Sequence, residues 1–147
     1  MVESTALGKA EVKDMVDAWY RALDVHAPVA ELLPMLADEG LEMRFPEATL
    51  KGQPAFVEWY EGVTRKFFDE IHDMKELNID PAGDEANVKL VVNWQAKVWN
   101  PPDAKSKWLG FDAYQTWIVK RSPQSGRPVI ATYIVDELRP MEGSAVL

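Results

Sequence analysis

Three side chains have the chemistry and the setting to move a proton: Asp136, His72 and Tyr20. Asp136 falls in an apolar run, Val129 to Leu138, in alternation with Ile130, Thr132, Ile134 and Leu138. A carboxylate in such a strand stands either at its wet end or inside a pocket. In a pocket it would be desolvated, and desolvation raises a carboxyl pKa. It would then accept a proton near neutral pH, as abstraction next to a carbonyl requires. His72 is one of two histidines and opens a long strand just after a helix. Histidine titrates near neutrality and could pass a proton or donate to an oxyanion. The alternative is an exposed or capping histidine among Asp69, Glu70 and Asp73. Tyr20 lies one residue off the apolar stripe of the first helix, where its hydroxyl could meet a substrate oxygen or simply pack. His26 reads as a cap at that helix's end.

Six aromatics could wall a pocket: Trp19, Phe45, Phe56, Trp59, Trp94 and Trp117. Each also fits an ordinary core position, because large aromatics serve both uses. Arg44 could bind a substrate carboxylate, or pair on the surface in the company of Glu42. Metal binding finds no motif: there is no HxH, HxxxH or HExxH, and "PAGDEAN" does not match a calcium loop. No GxGxxG, GxxxxGK[ST] or GxSxG occurs. No metal and no cofactor is expected.

The elements that must position these residues follow from apolar spacing. Residues 10–25 read as a helix with Val12, Met15, Val16, Trp19 and Leu23 on one stripe. A second helix starts at Pro28 and runs toward Leu36, with Pro34 interrupting or kinking it. Residues 41–46 alternate as a short strand, and Pro46 to Gly52 reads as a loop. Residues 53–68 form a third helix carrying Phe56, Trp59, Tyr60 and Val63. The period then changes to two, giving strands over 71–79, 88–99, 111–120 and 129–138. Short loops between them imply antiparallel pairing. The fold class is therefore α+β: three N-terminal helices packed in a strongly curved antiparallel sheet, a cone with an apolar mouth. One domain spans 1–147, with a frayed tail after Pro140.

Charge narrows the partners. The 147 residues carry 24 acids against 16 Lys plus Arg, a net charge of −8. Nucleic acid and anionic membrane need clustered positive charge, so neither is expected. No apolar run approaches the roughly 20 residues of a membrane span. The N-terminus has no apolar signal core, and the expected location is cytoplasmic. There are no cysteines, which excludes thiolate chemistry.

Element order and three phrases give a resemblance. "FPEATLKGQPAFVEWY" is a strand, loop, glycine and aromatic-rich helix. "GDEANVKLVVNW" is a turn and long strand, and "YQTWIVKR" with "VIATYIVDEL" is a closing pair. Together they resemble the nuclear transport factor two-like superfamily and its SnoaL-like group, over about Ala10 to Pro140. These are fold-level phrases, so they speak to architecture more than to function. The resemblance implies a cone-shaped sheet around three helices, a deep apolar pocket and a dimer. It includes ketosteroid isomerases, polyketide cyclases and dehydratases, beside members that only bind ligands. From it, Asp136 would be the general base, as the polyketide cyclases place an acid on their final strand. His72 or Tyr20 would be the donor. The substrate would be a small apolar carbonyl compound such as a polycyclic ketone. A non-catalytic binding module or a pure dimerisation domain stays open.

If the faces bearing Trp94 and Asp136 look inward, Val91, Trp99, Val129, Ala131, Tyr133 and Val135 look outward. That outer apolar face predicts a homodimer through the sheet.

Overall fold

The computed structural model describes residues 6–147. Helix α1, Lys9–Asp24, buries Val12, Met15, Val16 and Trp19 of the expected stripe, together with Tyr20 beside it, while Leu23 is half-buried. The Glu11 carboxylate accepts the Gly8 N–H at its start and binds Arg121 Nη2 at 2.6 Å. That guanidinium, and then the Gly8 bond, hold the Glu11 carboxyl below its usual range. A part-exposed ion pair contributes about 1 kcal/mol or less. Each buried apolar side chain contributes about 1.5–3 kcal/mol. Apolar burial therefore fastens α1 to the sheet, and the ion pair fixes its rotation.

Helix α2, Val29–Leu32, is a single turn and passes into a 3-10 turn, Leu33–Met35. Pro34 lacks the N–H that another α-helical turn would need, so the second helix stops short of Leu36. Helix α3, Gln53–Lys66, buries Phe56 and Tyr60 and starts after Gly52, whose φ of +84° suits a residue without Cβ.

Six strands form one curved, unclosed sheet: β1 (Glu42–Arg44), β2 (Thr49–Lys51), β3 (Phe67–Ala82), β4 (Glu85–Val98), β5 (Lys107–Arg121) and β6 (Pro128–Pro140). Their order is β2-β1-β6-β5-β4-β3. Three details differ from the sequence expectation. Thr49–Lys51, expected as loop, pairs with β1 as a hairpin. Strand β1 lies parallel to β6, so the sheet is not wholly antiparallel. Strand β3 begins at Phe67, directly after α3, rather than at Ile71.

Bulges decide which side chains face the helices. In β6, Ile118 pairs with Thr132 and Val119 with Ile130, which leaves Ala131 extra. Tyr114 pairs with Glu137 and Gln115 with Val135, which leaves Asp136 extra. Each extra residue resets the alternation. In β3, Asp69 and Glu70 together oppose Ala96, with Asp69 at φ +51°. That bulge brings Glu70 and His72 onto the inner face. The main core gathers Trp19, Phe56, Trp117 and Tyr133 between the helices and this face. Trp19 meets the other three rings at centroid distances of 5.7, 6.5 and 6.0 Å.

Candidate active site

Between α1, α3 and the inner face of the sheet lies a cavity of about 130 Å³. Phe45, Trp59 and Trp94 line it, as the sequence suggested. Phe45 and Trp59 stack at 4.2 Å and form one wall. Trp94 forms another, stacked on Phe111 at 6.0 Å. Trp19, Phe56 and Trp117 do not line it. They are at most 1% exposed and pack behind the wall as core.

Asp136 lies elsewhere. It is the bulged residue of β6, exposed on the outer face, where its Oδ2 accepts the Thr116 hydroxyl at 2.7 Å. The expectation that it shares an inward face with Ile134 and Leu138 is corrected. Two bulges turn Tyr133, Val135 and Leu138 inward and leave Asp136 in solvent. A carboxylate there faces solvent and is not among the residues that line the cavity.

His72 does line the cavity. Its Nδ1 contacts Asp24 Oδ1 at 2.7 Å, and its side chain is 11% exposed. A carboxylate oxygen only accepts, so Nδ1 carries the hydrogen of this contact, and in the neutral ring Nε2 holds a lone pair. Nε2 has no partner among the described residues. Asp24 closes α1 four residues after Tyr20, one turn along the same helix face. The Tyr20 ring lies against His72 at 5.1 Å and holds the imidazole from its side.

The Tyr20 hydroxyl does not point freely at the cavity. It donates to Gln115 Oε1 at 3.2 Å and lies 3.4 Å from the Tyr133 hydroxyl. Burial pushes both tyrosines above their ordinary value, Tyr20 well above it, so both stay protonated at neutral pH. The Trp117 indole N–H also donates to Gln115 Oε1, at 2.9 Å. Two donors on one oxygen fix the amide's orientation. Gln115 lines the cavity with its N–H groups turned away from these two donors, and its side chain also hydrogen-bonds Tyr133.

A second acid–histidine pair borders the same space. Glu70 lines the cavity, accepts the Trp94 indole N–H on Oε1 at 2.9 Å and meets His26 Nε2 through Oε2. His26, read from sequence as a helix cap, thus ties the end of α1 to β3 by its side chain. None of the described residues lining the cavity is Lys or Arg. Arg44 is exposed and pairs with Glu42, as in its surface reading. The described residues hold no cluster of three or more His, Cys, Asp or Glu able to bind a metal.

Asp24, Glu70 and Gln115 were not singled out in the sequence. Glu70 and His72 alternate along one strand, and Gln115 alternates with Ala113 and Trp117, so period two was a usable signal for both. Asp24 carried only its helical offset from Tyr20.

The sequence matches the SnoaL-like domain profile over residues 4–132. No curated protein matches it. Among solved structures it is similar to a hexachlorocyclohexane dehydrochlorinase, LinA-type3, from Novosphingobium barchaimii LL02. That match has 16% identity and a TM-score of 0.73, covering 95% of this chain and 93% of that one. A candidate scytalone dehydratase from Novosphingobium aromaticivorans DSM 12444 gives 20% identity and a TM-score of 0.72, covering 94% and 88%. A protein of unknown function with a cystatin-like fold from Nostoc punctiforme PCC 73102 gives 18% and 0.68, covering 99% and 100%. At these identities the likeness shows the fold.

Proposed function

The chain belongs to the SnoaL-like family, and from that premise we propose a cofactor-independent proton-transfer enzyme whose general base is His72. The observation that carries the reading is the 2.7 Å contact between Asp24 and His72 on a cavity-lining ring. Asp24 sets the tautomer and stabilises the imidazolium formed when Nε2 takes a proton. The proton comes from carbon next to a carbonyl, because that acidity suits an imidazole base. Negative charge then develops on the carbonyl oxygen, and a Gln115 Nε2 N–H is the donor proposed for it. Tyr20 positions Gln115 by donating to its oxygen. The absence of Lys and Arg among the described lining residues favours a neutral substrate over a carboxylate or phosphate. A cavity of about 130 Å³ suits a single ring rather than a fused polycycle, since a dry cavity of roughly 150 Å³ holds benzene.

The test is deuterium incorporation from solvent at the α-carbon of small aryl ketones, followed by NMR. Wild type exchanges; His72→Asn loses roughly 10²–10⁴-fold while still binding the ketone. Binding without exchange in wild type would instead mark a ligand-holding module of the same fold.

A further inference from the structure

We infer that the cavity takes a small quaternary ammonium compound, held by the aromatic rings of its walls and by the fixed charge of Glu70. Such binding needs no base, so it stands apart from the role of His72. The absence of Lys and Arg from the described lining residues sets anions last among ligands. The walls set cations first.

Phe45 and Trp59 stack at 4.2 Å, and the Tyr133 ring lies 5.5 Å from Phe45. On another wall Phe67 meets Trp94 edge-on at 5.2 Å. All five rings line the cavity. An aromatic ring carries partial negative charge on its face and attracts a cation placed over it. The attraction is strongest for Trp and grows as water is excluded.

The ionisable groups agree with the rings. Glu70 lines the cavity with its side chain only 11% exposed. Its pair with His26, and that of Asp24 with His72, each carry one negative charge when the imidazole is neutral and none when it is protonated. Neither pair turns positive near neutral pH. Glu47 adds an exposed carboxylate to the lining. The net charge of −8 draws cations toward the molecule at longer range.

Glu70 also selects the kind of cation. Its Oε1 accepts the Trp94 indole N–H at 2.9 Å, and its Oε2 meets His26. Each oxygen already holds a donor, so Glu70 offers a ligand its charge more than its hydrogen-bonding capacity. A primary ammonium must find acceptors for three N–H groups, and an apolar cavity leaves them unpaired at high cost. A quaternary ammonium has no N–H, and its charge is spread over methyl groups that pack against rings. The cavity of about 130 Å³ suits a trimethylammonium head, comparable in bulk to the benzene that a dry cavity of roughly 150 Å³ holds.

The competing account is an apolar pocket that selects by shape alone. Choline and dimethylbutanol, its isostere with carbon in place of the charged nitrogen, separate the two. Binding of each to the intact protein is followed by titration calorimetry at fixed ionic strength. Wild type is expected to bind choline about 10-fold or more tighter than the isostere. Glu70→Gln and Trp59→Leu are each expected to cut that ratio about 3-fold or more. Trp59→Leu keeps an apolar wall and decides the contribution of the cage if melting curves show that Glu70→Gln unfolds. Equal binding of the two probes, tighter binding of the isostere, or no binding of choline by wild type overturns the inference. So does a ratio left unchanged in a folded variant. The His72 base is untouched by these outcomes, since it stands or falls on α-deuterium exchange.

Discussion

A histidine can act as a directional base only when its tautomer is fixed, and in the role proposed for His72 the Asp24 contact would fix it. The two buried tyrosines behind it serve a different purpose. Their phenols are raised by burial, so the folded state resists ionising them. A group raised in the folded state contributes stability that is complete below its unfolded pKa, about 10 for tyrosine. That stability is lost as pH climbs from there through the folded value. Denaturation midpoints should therefore hold between pH 7 and 9 and decline above about pH 10. Tyr20→Phe should show a shallower alkaline decline, and an identical slope in both proteins would count against the assignment. At this scale the sequence was only partly legible. His72 and Tyr20 were visible by type and place. The partners that orient them, Asp24 and Gln115, belong to other elements, and one-dimensional spacing does not say which helix end meets which strand. Asp136 misled because its apolar neighbours are real, but its own bulge separates it from them.

At the scale of elements, irregularities place the side chains. Strand β4 pairs with β5 without a register shift, and there plain alternation correctly turned Trp94 inward. Strand β6 shifts twice, and there plain alternation failed. Bulges leave little trace in composition, because any residue near the right-handed helical region can occupy one. Of the two bulges in β3, the one at Asp69–Glu70 is more exacting. Asp69 holds φ +51°, which Asp, Asn and Gly tolerate and β-branched residues do not. Asp69→Val is expected to cost about 1–3 kcal/mol by chemical denaturation, while Asp69→Gly stays near wild type. Equal stability of the two would mean that the left-handed turn does not constrain the strand. The helices were read well because an amphipathic stripe needs no partner to be seen; Pro34 cut the second shorter than expected.

For the whole molecule, element order was legible: three helices before a curved sheet, now seen as six strands with a parallel β1–β6 join. The composition of the outer face was less so. Tyr133 and Val135 line the cavity instead, and Val91, Val129 and Ala131 are buried, while Trp99 stands exposed. A polar ladder runs beside them: Gln95 donates to Asn93 at 2.8 Å, and Asn93 to Asp112 at 2.9 Å. We propose that two copies still pair through this face, with half-buried Ile118, Thr116 and Ile134 at the centre. Light scattering should then give twice the 16.6 kDa chain mass, and Ile134→Lys should halve it. A single-chain mass for wild type would leave the face as ordinary solvent surface. No helix among the described residues is long and apolar enough to cross a membrane.

The sheet does not close, so β3 hydrogen-bonds only to β4 and runs 16 residues as a free margin. Such a margin is a template on which another chain's backbone can grow. Along it Asp69, Asp73, Glu76 and Asp80 stand exposed, with Lys75 as the one exposed cation. Two such margins carry like charge and repel at neutral pH. High salt would screen that repulsion, and the guard against strand-to-strand fibre growth would weaken along the longest strand of the sheet.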